Sequence, residues 1–419
     1  MRNLREFARH GAIVFAGLTA GNLFLYLYYV IIGRVVGLTG YGVVTALMSA
    51  ILLFSLPSTV AGAVIAKAAA DFHATGEGAR LRWLANLVDR AAWAAGAIVF
   101  ALVAVFSASI GFFFHLTSTA PVIAAGAALG LSLVVTAQRA YLQGRHRFEA
   151  FALSYVIDAL SRAILGGIGA HFYGVAGALG GVAIDLLITT LFDSVAMRHG
   201  IPQESVPLDL SFGGFAGSAV RIGLTLLAVN AMLSYDTILV RHYFSAETAG
   251  LYSAAALVAR GVYAVVAFIP IVLLPSAAKR AAQGERSTHL LMFAGTIVCA
   301  VGVVAIAASI VAPGFVVRTI AGPAFADAGP YVLPYVTALV ALAGANAVAN
   351  YKIGLGRMEQ AIPLTVIAFA QIVFVVMRHD SVHTVLMTLL TGDICALIVT
   401  LYGVMPVPAG LRPRPIETR

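Results

Sequence analysis

Apolar residues run along this chain in twelve long stretches separated by short polar loops. The stretches lie near 11–32, 43–65, 92–114, 120–141, 151–173 and 174–195, and then near 215–240, 249–275, 290–313, 328–349, 361–377 and 383–405. Crossing the hydrocarbon core as a helix takes about 20 mostly apolar residues, because every backbone polar group must be satisfied inside the segment. None of the runs alternates polar and apolar positions, which excludes a transmembrane barrel. The pattern predicts an all-α polytopic membrane protein of about 12 transmembrane helices.

Composition agrees. Hydrophobic residues make up 61% and charged residues 11%, against roughly 45–50% and about 25% in soluble domains, so most of the surface must face lipid or other helices. Among the loop arginines and lysines, only Arg34, Arg241, Arg318 and Arg378 fall on one side; the others collect opposite. That bias predicts a multi-pass protein of the inner (cytoplasmic) membrane with both termini in the cytoplasm. The net charge of +8 then reflects attraction to the inner leaflet and calls for no nucleic acid. The first run follows a basic stub but is too long for a signal peptide and lacks a small-residue cleavage site, so it is expected to stay as a helix. Cys299 and Cys395 lie within spans, where packing is the expected role.

A repeat organises the spans. Arg34, Gly37, Tyr41 and Gly42 form a turn followed by a span ending at Lys67; Arg241, Gly250 and Tyr252 open a second turn followed by a span ending at Lys279. Matching the first two spans to the seventh and eighth gives two six-helix lobes, 1–196 and 213–405, with the same topology and a pseudo-two-fold axis along the membrane normal. Such repeats place a substrate path between the halves. The segment 197–212 is read as a cytoplasmic linker and 406–419 as a disordered cytoplasmic tail.

The same residues carry a family resemblance. Arg34, Gly37, Tyr41 and Gly42, together with the run from Asp236 to Arg241 that leads to Gly250 and Tyr252, resemble the multidrug/oligosaccharidyl-lipid/polysaccharide (MOP) exporter superfamily, and within it the oligosaccharide-flippase, polysaccharide-biosynthesis branch. The resemblance implies a V-shaped molecule whose central cavity opens alternately to each side. It also implies that an undecaprenyl-pyrophosphate-linked oligosaccharide is moved from the inner to the outer leaflet for cell-surface polysaccharide synthesis. A monomer without cofactor, working beside glycosyltransferases and a polysaccharide polymerase, is the form expected.

Ionisable groups at membrane depth are costly, so each is a candidate functional group. Arg162, Asp185 and Arg260 lie on the order of 16–18 Å into their spans at the rise of an α-helix. Guanidinium stays protonated and matches phosphate oxygens bidentately. Arg260 and Arg221 are therefore the first candidates for the anionic headgroup, followed by Arg162, with Tyr263 a turn from Arg260 as a sugar-stacking partner. Asp158 sits four residues before Arg162, so simple neutralisation on one helix face is the competing reading. Asp158 and Asp185, read as the only deep carboxylates, are candidates for a coupling proton. Asp185 is the expected partner of Arg260, and Asp236 is read as a helix cap or as the ion-pair partner of Arg241. Most of Tyr26, Tyr28, Tyr29, Tyr235 and Tyr243 fit an interfacial belt. The glycines from Gly166 to Gly181 signal close packing of the fifth and sixth spans.

Other chemistry is poorly supported. His379, Asp380 and His383 have ligand-like spacing but no further ligands nearby in sequence, so no metal site is expected. No phosphate-binding loop occurs, which excludes direct use of ATP. A drug/cation antiporter of the same superfamily, or a peptidoglycan-precursor (lipid II) flippase, is the alternative; the antiporter would place acids in the cavity, and the seventh span shows no deep acid by this reading. An enzyme is not expected, because every loop on the Arg34 side is short.

Overall fold

A computed structural model describes residues 2–202, 204, 206, 216–283, 285 and 287–404. The expected tail 406–419 and, within the expected linker 197–212, residues 203, 205 and 207–212 lie outside the described residues. Among the described residues the chain is helical, with no strand. The first lobe comprises α1 (Arg2–Ala74), α2 (Gly78–Val105), α3 (Ser107–Phe113), α4 (Ala120–Gly144) and α5 (Phe148–Arg198). The second comprises α6 (Ala216–Met232), α7 (Tyr235–Tyr243), α8 (Ala246–Val266), α9 (Phe268–Ala282), α10 (Thr288–Val311), α11 (Pro313–Ile320), a 3-10 turn (Pro323–Ala328), α12 (Gly329–Gly354), α13 (Ala361–Met377) and α14 (Val382–Leu401). Nine helical segments among the described residues are long and apolar enough to cross a membrane, and this is a multi-pass membrane protein.

Helices α1 and α5 each hold two spans. They fold back at Gly37 (φ 69°) and Gly174 (φ 57°), where the left-handed backbone is open to glycine without strain from a Cβ. These joints fall at the expected turn between spans one and two and at the expected boundary between spans five and six. Around the second joint the glycines do bring backbones together: a Cβ on Gly169 would lie 2.2 Å from the Gly177 carbonyl, and one on Gly181 would lie 2.5 Å from the Gly166 Cα. The third span starts earlier than expected, since α2 runs back to Gly78.

The seam between the lobes is uneven along its length. Tyr41 to Ser49 in α1 are buried without interruption, and so are Tyr252 to Ala259 in α8. A helix turning every 3.6 residues is buried this way only when neighbours cover all its faces. Toward the Lys/Arg-rich end the pattern breaks: Leu52, Phe54 and Val265 are exposed. Burial at the seam is thus continuous at the Gly37 end and interrupted toward the other, where Gly223 still meets Val60 of the first lobe. Cys299 and Cys395 correct the sequence reading: both occupy exposed helix faces, where they fill no interior gap.

Candidate functional site

Within the seventh span the helix stops at Met232 and restarts at Tyr235, leaving Leu233 and Ser234 outside both segments. The break frees the Leu233 carbonyl and puts Asp236 in the first turn of α7, where a carboxylate is favoured by the aligned peptide dipoles. Interrupted backbone at this depth needs internal partners, and Arg260 of α8 supplies one. Its Nη2 donates to Leu233 O at 2.9 Å and to Thr237 Oγ1 at 3.3 Å, and lies 3.5 Å from Asp236 Oδ1. Its Nη1 donates across the seam to Ser49 Oγ of the first lobe, at 3.3 Å.

Asp236 is held chiefly by phenols. Tyr252 donates to its Oδ2 at 2.8 Å, and Tyr335 donates to the same oxygen. The carboxylate is thus well bonded without Arg260, whose contact with it is long compared with about 2.7–2.9 Å for a tight charge-assisted pair. The Arg260 side chain is 25% exposed, and its Nε has no hydrogen-bond partner among the described residues. The guanidinium is anchored but not neutralised at close range.

Two further hydroxyl contacts stitch the seam beside it. Thr237 Oγ1 lies 2.8 Å from Ser49 Oγ, and Thr45 Oγ1 lies 2.6 Å from Ser253 Oγ. At the Gly37 end, Arg34 donates to Thr319 O at 3.3 Å, and the His115 and His242 rings reach backbone carbonyls of each other's lobe at 2.9 and 2.8 Å.

The first lobe contains a tighter charge network. Arg162 bonds Asp158 at 2.6 Å and Asp185 at 2.9 Å, and is only 13% exposed. Arg139 takes the other Asp158 oxygen at 2.9 Å, bonds Ser154 Oγ at 2.8 Å, and stacks over Tyr155 at 3.9 Å. Ser154 passes the chain to Asp193 at 2.9 Å.

Several sequence expectations are thereby corrected. Arg139, near the end of the fourth span and not among the expected deep charges, belongs to this interior network. Asp185 partners Arg162, not Arg260. Asp236 makes no ion pair with Arg241, which is buried; helix α7 turns the two side chains to different neighbours. Asp158 and Asp185 are not the only deep carboxylates, because Asp193, Asp236 and Asp393 are also buried, and the seventh span does carry a deep acid. Tyr28 and Tyr235 are fully enclosed rather than interfacial, Tyr28 lying against Gly166.

The other candidates fall as follows. Arg221 is exposed on α6, two residues from Gly223, which meets Val60 of the first lobe. Tyr263 turns inward, its hydroxyl accepting from Asn346 at 2.9 Å. Tyr26 reaches the seam instead: its ring lies 3.0 Å from where a Cβ on Gly261 would stand. Sequence reasoning overlooked Ser49, Tyr335 and Ser253. A signal was present for some of them, since Thr45 and Ser49 share one face of an otherwise apolar span, as do Ser253 and Arg260 of α8. Tyr335 gave none.

Solved structures of similar architecture cover nearly all of the chain. A MATE transporter in a bent conformation matches with a TM-score of 0.64 at 14% identity over 93% of this chain and 94% of its own. The fold is that of the MATE transporters. A MATE family multidrug-resistance transporter of the MOP superfamily in an inward-facing conformation matches at 0.63 and 16% identity, over 91% of this chain and 92% of that one. A MOP superfamily transporter from Pyrococcus furiosus Vc1, described as having a binding pocket of reverse polarity, matches at 0.60 and 16% identity over 93% of each chain. No family model matches the sequence, and no curated protein matches it. In this chain α1, which holds spans one and two, packs against α7 and α8.

Proposed function

We propose that this protein is an alternating-access flippase that carries an undecaprenyl-pyrophosphate-linked oligosaccharide from the inner to the outer leaflet of the cytoplasmic membrane. The observation that carries the reading is Arg260: a permanently charged guanidinium at the lobe seam, its side chain part exposed, its buried Nε without a hydrogen-bond partner among the described residues, and its carboxylate neighbour already satisfied by two phenols. An anion crossing oil needs such a group near midway, because removing a doubly charged headgroup from water without a partner is prohibitive. Arg221 serves as the entry cation on the Lys/Arg-rich side, taken here as cytoplasmic. Arg162, held by two carboxylates, fixes the first lobe more than it receives cargo, and Asp158 and Asp185 take up the coupling proton.

The solved transporter of reverse pocket polarity supports the idea that this architecture accommodates cargo of different charge. A cation antiporter is the second reading, favoured by the buried carboxylates of Asp236 and Asp393. Asp236 is already saturated by donors, which leaves it ill placed to take a cationic drug. The test is Arg260→Ala at matched membrane abundance in a strain lacking the native gene. Cytoplasm-facing lipid-linked oligosaccharide should accumulate; undiminished export at normal abundance removes Arg260 from the mechanism.

A further inference from the structure

The guanidinium proposed to receive the headgroup also joins the two lobes. Its Nη1 reaches Ser49 Oγ, and Ser49 lies at the end of the α1 stretch that is buried on every side. Around it the cross-seam polar contacts are neutral hydroxyl pairs, Thr45 with Ser253 and Thr237 with Ser49. Arg260 is thus the charged member of the closure at this depth. We propose that Arg260 is the latch of the closed seam, and that an anionic phosphate group opens the Gly37 end by drawing this guanidinium away from Ser49. The proposal rests on the flippase reading for the identity of its ligand, but the latch itself stands on the contact between the two residues.

Three features make the exchange workable. Arg260 spends its Nη atoms on a carbonyl, two hydroxyls and a distant carboxylate oxygen. Bidentate capture of a phosphate uses two adjacent N–H groups in one plane, so the guanidinium must turn from at least part of this set. Its hydrogen bond to Ser49, at 3.3 Å, is long and ends on a neutral oxygen, whereas a phosphate oxygen offers a shorter, charge-assisted bond. Lastly, Asp236 keeps Tyr252 and Tyr335 when Arg260 leaves, so no buried carboxylate is stranded. A ligand shifts a conformational equilibrium only as far as its affinity for the two states differs. Here the difference is built in, since the closed state occupies the group that the ligand requires.

The experiment measures the separation of the lobes at the Gly37 end. Spin labels go on Tyr173→Cys and Arg378→Cys, both exposed and one on each lobe, with Cys299 and Cys395 replaced by serine, in protein reconstituted into lipid nanodiscs. Without ligand, Ser49→Ala, which removes the cross-seam bonds from both Arg260 and Thr237, should raise the open-to-closed ratio by about thirtyfold, the effect of losing two hydrogen bonds of ordinary strength. Ser49→Thr, which keeps the hydroxyl, should stay as closed as the parent. Sodium pyrophosphate should open the parent and leave Arg260→Ala unmoved. An unchanged ratio in Ser49→Ala overturns the latch. Pyrophosphate that binds the parent by calorimetry without opening it also overturns the latch and spares Arg260 as anchor. Absence of pyrophosphate binding, with Ser49→Ala open, overturns the ligand and supports the latch.

Discussion

Gly42 of the first lobe and Gly250 of the second meet backbone to backbone: a Cβ on Gly42 would lie 2.9 Å from the Gly250 nitrogen, and one on Gly250 would lie 2.1 Å from the Leu38 carbonyl. The two turn motifs that mark the internal repeat are thus each other's packing partners. Closure at the Gly37 end depends on neither position carrying a side chain.

Gly250→Ala separates this contact from helix propensity. Alanine should favour helix α8 by about 1 kcal/mol, so folding itself is not the casualty. The variant should instead lose the closed state, because the Leu38 carbonyl belongs to backbone and cannot swing aside. Cysteine accessibility at Thr45→Cys, buried in the closed seam, should rise with membrane abundance unchanged; an inaccessible Thr45→Cys in Gly250→Ala refutes the argument.

Arg162 and Arg260 should fail differently when truncated. Arg162→Ala strands Asp185, whose Oδ2 accepts from it and whose Oδ1 has no partner among the described residues. Breaking a buried pair in this way costs about 3–5 kcal/mol, so thermal unfolding in detergent should shift markedly and abundance should fall. Arg260→Ala leaves Asp236 with both phenols and costs only the bond to the Leu233 carbonyl, about 1–3 kcal/mol, so it should unfold less far below the parent than Arg162→Ala while losing transport. Equal thermal losses in the two variants would contradict the distinction.

Tyr335→Phe removes one of the two phenols on Asp236 Oδ2. A hydrogen bond to a charged acceptor contributes about 1.5–3 kcal/mol, so unfolding should come at a lower temperature. Asp236 would then lean on Arg260, and pyrophosphate affinity should weaken. A parent-like affinity in Tyr335→Phe would show that the phenols do not set how available Arg260 is.

Proton coupling through the first lobe is checked with Asp158→Asn and Asp185→Asn. If either carboxyl carries the coupling proton, the neutral variant should change how transport in vesicles depends on an imposed pH gradient. Unaltered dependence in both excludes them and moves attention to Asp193, which is buried with one oxygen unpartnered among the described residues.

Much of the architecture was legible in order of residues alone. The Gly37 and Gly174 joints were visible because a short polar or glycine-rich turn between two apolar runs has few other solutions in a membrane. Glycines spaced along the fifth and sixth spans announced their close approach, since nothing larger fits at Gly166, Gly169, Gly177 and Gly181. The site was only partly legible. Arg162 with Asp158 followed from helical spacing, a local rule. Arg260 stood out as a deep cation, but its neighbours did not: Ser49 is 211 residues away and its carbonyl partner Leu233 is 27. Tyr263 lies one turn from it in sequence yet bonds Asn346 of α12, a partner 83 residues away that helical spacing does not reveal.

What the sequence determined by itself is the helical class and the approximate places of the spans, because the bilayer imposes one period and a minimum length on every segment that crosses it. What the tertiary structure alone decided is which deep charges are neutralised and which remain available. That outcome depends on how two lobes distant in sequence meet, and on a break at Leu233 and Ser234 that turns a carbonyl toward Arg260. Hydrogen bonds are made or lost within a few tenths of an ångström, a scale that hydropathy along a chain does not record.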